Sequence, residues 1–139
     1  MVAYNKINQF VEDVGKGVHN LATGALTIAL TTTANKPVAT NSILGNLTQI
    51  SYTNLSGRVP TLTSYTQTSG TAKLILQDLI LTASGAVAAF GAIVLYNDTP
   101  TSPADPLIAW WEYGSDVTLA NTETFTIDFD QSGGVLTIA

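Results

Sequence analysis

Residues 25–34 read ALTIALTTTA, and within them Leu26, Ile28 and Leu30 alternate with Thr27, Ala29 and Thr31. A period of two places the large apolar side chains on one face of an extended chain and the hydroxyls on the other. That is the pattern of a half-buried strand. Upstream the period is different. Tyr4, Ile7, Phe10, Val11, Val14 and Val18 follow the i, i+3, i+4, i+7 spacing of a helical stripe, with Asn5, Asn8, Glu12 and Asp13 opposite. Gly15 and Gly17 weaken the last turn, so the spacing predicts one N-terminal helix within residues 1–20, ending near Asn20.

Downstream the period of two recurs. Pro37 excludes a central strand from the loop Thr33–Thr40. A short turn or 3₁₀ piece is expected at Asn41–Leu47, with extended chain again at Ile50 and Tyr52. Val59, Thr61, Thr63 and Tyr65 suggest a strand. Lys73–Thr82 (KLILQDLILT) reads as one strand, with a bulge where Gln77 and Asp78 fall on opposite faces. Val87–Tyr96 reads as a strand buried on both faces, and three prolines make Thr99–Pro106 irregular. Strands are also expected at Leu107–Tyr113, Thr124–Asp130 and, after Ser132-Gly133-Gly134, Val135–Ile138. This pattern predicts a mainly β chain: an antiparallel β-sandwich or jelly-roll-like barrel of about eight strands with one N-terminal α-helix. Residues 1–139 read as a single domain, with the β-sandwich over 25–139.

Charged residues make up 11% of the chain, against roughly 25% in an average globular protein. The mean hydropathy is +0.26. A surface of hydroxyls and amides loses its water more cheaply than one of ammonium and carboxylate groups, which suits a protein covered by neighbours. The net charge is −5, with no cluster of Lys or Arg. Direct nucleic-acid binding is therefore not expected. The longest apolar run, Gly85–Tyr96, is too short to span a bilayer, and no signal peptide is read at the N-terminus.

Signatures of chemistry are missing. The chain has no cysteine, no G-x-S-x-G, no H-E-x-x-H and no phosphate-binding loop, so no enzyme, no catalytic residue and no cofactor is expected. The single histidine, His19, falls at the end of the expected helix, where it would interact with the helix dipole. Asp128 and Asp130 share a strand face and would hold a calcium ion only with help from a loop such as Ser115-Asp116, so a solvated outer face is the simpler reading. In Trp110-Trp111 the two rings must point to opposite faces. Leu107, Ala109, Trp111 and Tyr113 are assigned inward. Trp110 then lies under a second layer or serves as an anchor for a partner, joining the helix residues Tyr4, Ile7, Phe10, Val11 and Val14 as interface candidates.

The segments YNKINQFVEDVGKGVHNL (4–21), ALTIALTTTA (25–34), PVATNSIL (37–44), AIVLYNDTP (92–100) and DPLIAWWEYGSDVTLANTETFTIDFD (105–130) resemble small virion structural proteins of tailed bacteriophages. The chain departs from them at Ser51–Arg58, where related chains often carry a Gly-rich turn. The resemblance implies a β-rich protein of the phage particle, made in the host cytoplasm, with no catalytic residues. Head decoration, or capsid cement, is the role it favours. Such a protein binds the major capsid protein or other virion proteins, often as a trimer, without touching nucleic acid or membrane. A tail, connector or head-fibre component is the alternative, and a carbohydrate-binding β-sandwich using Trp110 and the loop Asn97–Asp105 is a second.

Overall fold

The computed structural model describes residues 2–139. In chain order the described residues form β1 (Asn5–Lys6), α1 (Asn8–Gly15), β2 (Leu26–Thr31), β3 (Leu62–Thr68), β4 (Thr71–Leu76), β5 (Leu79–Thr82), β6 (Val87–Asn97), β7 (Leu107–Leu119), β8 (Thr124–Ile127) and β9 (Leu136–Ile138). Short 3₁₀ turns occupy Thr33–Asn35 and Leu44–Asn46. The chain is mainly β, as its alternation implies, and every strand pair is antiparallel.

The longest strands, β6 and β7, form the centre of a four-stranded sheet in the order β1-β7-β6-β2. Val94 lies opposite both Ala29 and Trp110, and Leu95 opposite both Ile28 and Ala109. The second layer is made of the three-stranded sheet β3-β4-β9 and the pair β5-β8. Aromatic side chains join the layers edge to face: Phe90 on Phe125 (5.1 Å), Tyr113 on Phe125 (5.3 Å) and Trp111 on Phe129 (6.3 Å). Such contacts add about 0.5–1.5 kcal/mol each to area burial.

The first sheet is buried on its other face too, at Ala29, Thr31, Val94 and Trp110. Irregular chain covers it. The run 36–58 is tied to the sheet by Leu107 N–H to Ser42 C=O, Leu44 N–H to Asp105 C=O and Ile50 N–H to Leu30 C=O. It brings half-buried Ala39, Leu44, Leu47, Ile50 and Tyr52 against the core. Ile50 and Tyr52 belong to this run and to no strand.

Several boundaries differ from expectation. Lys73–Thr82 is two strands in different sheets, broken at Gln77-Asp78. There Gln77 N–H bonds to Thr61 C=O, and the Asp78 carboxylate accepts from Phe129 N–H (3.0 Å). β8 stops at Ile127, so Asp128 and Asp130 share no strand. The helix is half its expected length. Its predicted first turn is captured by β7 instead, with Asn5 opposite Trp110 and Lys6 opposite Ala109. Ile7 then turns the chain with extended geometry (φ −79°, ψ 130°). At the other end Gly17 takes φ +72° and its N–H bonds to Val14 C=O, which stops the helix.

Candidate functional site: an apolar cleft beside the helix

Shortening α1 also rotates its stripe. Ile7 and Phe10 are fully or nearly fully buried, whereas Val11 is 58% exposed and Tyr4 40% exposed. Asp13, assigned to the polar face, is 3% exposed. Val14 is half-buried. The six interface candidates therefore divide: Ile7, Phe10 and Trp110 belong to the core, while Tyr4, Val11 and Val14 reach the surface.

Trp110 is 7% exposed, so it offers no ring face to a partner or to a sugar. Tyr113 faces the second layer as assigned, its ring on Phe125, but β7 outruns the core there and leaves it 51% exposed. Both faces of the first half of β7 are interior, with Leu107, Ile108 and Ala109 fully buried. Alternation alone does not reveal this: a strand roofed on both sides buries every residue, whatever its parity.

The surface members of the stripe line an open cleft of about 690 Å³ between α1 and the chain leading into β9. Tyr4, Phe10, Val11 and Val14 form one wall; Val135 and Ile138 come from the other. The Tyr4 ring stands edge-on to Trp111 at 5.9 Å, which fixes its position, and burial pushes the Tyr4 hydroxyl pKa up. Among the lining residues only Lys6 and Asp130 carry charged side chains. The Asp130 carboxylate is engaged, accepting from Ser132 N–H (2.9 Å), Ser132 Oγ (3.0 Å) and Gly133 N–H (2.7 Å). These bonds hold its pKa below the usual carboxylate value. The cleft can be desolvated with little ionic penalty. The contribution of 135–138 was not visible in the sequence, since alternation shows that a strand exists but not what lies beside it.

Below α1 lies a polar cluster that the sequence did not suggest. Gln9 Nε2 donates to Asp13 Oδ1 (3.1 Å), and the other carboxylate oxygen is buried without a hydrogen-bond partner. His19 does not cap the helix. Its ring packs on Phe10 (centroids 5.1 Å apart), and its Nδ1 lies 3.4 Å from the side-chain nitrogen of fully buried Asn97. Burial lowers the His19 pKa, partly opposed by the Asp13 carboxylate. Nothing here pairs a nucleophile with a base. Among the described residues, no three His, Cys, Asp or Glu side chains are grouped to hold a metal ion, Asp128 and Asp130 included. No helix among them is long and apolar enough to cross a membrane. Compared with family models, curated proteins and solved structures, the chain matches none of them.

Proposed function

We propose that this chain is a non-enzymatic structural protein of a tailed-phage particle, a head decoration protein that binds the assembled capsid shell through the cleft beside α1. The observation that supports a docking role is the cleft itself. Exposed Val11 and Tyr4, with half-buried Val14, line an open apolar surface with only two charged side chains around it. The phage assignment rests on the sequence resemblance, above all on 92–100 and 105–130. A protein that binds only the assembled shell stabilises that shell by its binding free energy, multiplied over many copies. A tail, connector or head-fibre component shares the resemblance but would be present in about a dozen copies or fewer, by the ring or fibre symmetry of such parts.

The test is addition of the protein to expanded, undecorated heads. Val11 is exposed, so Val11→Asp places charge in the cleft with little effect on the core. The variant is expected to lose about 2 kcal/mol or more of shell affinity while keeping its melting temperature within a few degrees. Unchanged binding of the folded variant refutes the cleft as the interface. A map of the particle showing few copies, placed away from the head surface, refutes decoration.

A further inference from the structure

Strand β3 is an outer strand, bonded on one side only, to β4. Their hairpin closes on Thr68 opposite Thr71, around Ser69 and Gly70 at φ 52° and 84°. That is a two-residue turn of the primed kind. The closing pair exchanges both of its hydrogen bonds, and the pattern then alternates along the ladder. Thr68, Thr66 and Ser64 therefore turn their backbone groups toward β4, and Gln67 and Tyr65 turn theirs outward. No other backbone group meets these outward N–H and C=O groups. Thr63, at the register shift between Leu62 and Ser64, has no partner in β4.

Two other edges, those of β2 and β5, are covered by neighbouring chain. Along β2, Ile28 N–H bonds to Arg58 C=O and the Arg58 guanidinium donates to Ile28 C=O. Leu30 N–H donates to the Tyr52 hydroxyl, and Leu30 C=O accepts from Ile50 N–H. Along β5, Thr82 exchanges bonds with Ser56. β3 lacks such cover. It also lacks the lysine, the proline and the inward charge that keep open edges from pairing. No charged residue lies between Arg58 and Lys73, in a chain of net charge −5.

We propose that β3 pairs antiparallel with β3 of a second copy of this chain, about a twofold axis at Tyr65, so that two three-stranded sheets become one of six strands. In this register Tyr65 faces its own counterpart and Thr63 faces Gln67 of the other copy. The neutral strand identifies the occupant. Two copies repel through their acidic surfaces, and 59–72 is where they meet without setting like charges opposite. Hydroxyl and amide side chains at Thr63, Ser64, Thr66 and Gln67 complement themselves across such a pair. The pairing is isologous and closes at two copies, unlike the threefold arrangement the phage resemblance implies, and it does not depend on the decoration reading.

Sedimentation equilibrium of the full chain, together with amide hydrogen exchange, tests the pairing. The wild type is expected to dimerise, with the Tyr65 and Gln67 amides slowed about tenfold or more in the dimer. Thr63 and Gln67 are exposed, so both accept charge. Thr63→Lys with Gln67→Lys sets like charges opposite each other and is expected to weaken the dimer about tenfold. Thr63→Lys with Gln67→Glu sets opposite charges there and is expected to restore it. A wild type that stays monomeric at about 1 mM, a trimer, or an oligomer whose Tyr65 and Gln67 amides exchange freely overturns the proposal. So does a double-lysine variant that dimerises as the wild type does.

Discussion

Trp110 shows how one residue's meaning depends on what covers it. An exposed tryptophan on a sheet face is an anchor for a partner, whereas at 7% exposure it is interior packing. Trp110→Ala is therefore expected to destabilise the folded chain by about 3–5 kcal/mol, seen as a lower denaturant midpoint, rather than to leave a folded chain that binds poorly. His19 yields a second prediction. Burial lowers its pKa in the folded chain, so the unfolded chain takes up a proton first as pH falls. Its contribution to stability is complete above the unfolded value of about 6.5 and is lost as pH falls from there toward the lower folded value. The exposed carboxylates with depressed pKa values, Glu12 and Asp130, act in the same direction but below about pH 4.5. His19→Gln should flatten the stability curve between about pH 7 and 5.5, measured by denaturant midpoints. An unchanged slope would show that His19 is not the group responsible.

Among the elements, the strands with clean alternation or continuous apolar character were legible. Leu26–Thr31 stands where its alternation places it and Val87–Asn97 almost where its continuous apolar run does, but Leu26–Thr31, read as half-buried, is buried at all six positions. Two elements were legible only in part, for different reasons. In the N-terminal segment, Tyr4 and Ile7 fit a helical stripe, but an unpaired edge of β7 offered backbone hydrogen bonds to Asn5 and Lys6. A long-range pairing of this kind leaves no trace in local spacing. In KLILQDLILT the strand signal was right and its continuity wrong, because Asp78 spends its carboxylate on Phe129 N–H at the break. The cleft was half legible: Tyr4, Val11 and Val14 were named from the helix, and the opposite wall was not. Gly91 gives a prediction at this scale. A Cβ there would collide with the Thr33 side chain and come within 2.9 Å of the Ser115 carbonyl oxygen. Gly91 lets the Thr33–Asn35 turn and β7 close on β6, where Thr33 N–H bonds to the Asp116 carboxylate (2.7 Å). Gly91→Ala should cost about 1–3 kcal/mol, measured by thermal or denaturant unfolding.

Across the whole molecule, few ionic contacts hold the layers. Among the described residues the ion pairs are Lys16–Glu12 and Lys36–Glu112, both solvent-exposed, and exposed pairs contribute little. Cohesion comes from apolar side chains between the layers and from the run 36–58 over the first sheet. The low charge count thus has a structural counterpart: what holds the layers together is apolar, and so is the cleft proposed for partners. The class of fold was legible because alternation and short apolar runs bounded by turn residues report extended chain. The roof over the first sheet was not, because residues without regular structure carry no period to read.

The pairing of β1 with β7 bears on how the chain reaches this state. Asn5 lies opposite Trp110, and Ala72 opposite Ile138. During synthesis β1 must wait for a partner more than a hundred residues later, and β4 waits for β9. Meanwhile the β3-β4 hairpin, joined by a two-residue turn, can form at once. The strand that matures earliest is thus the one with an uncovered edge, so nascent chains on one message could meet through β3 before either has closed its core.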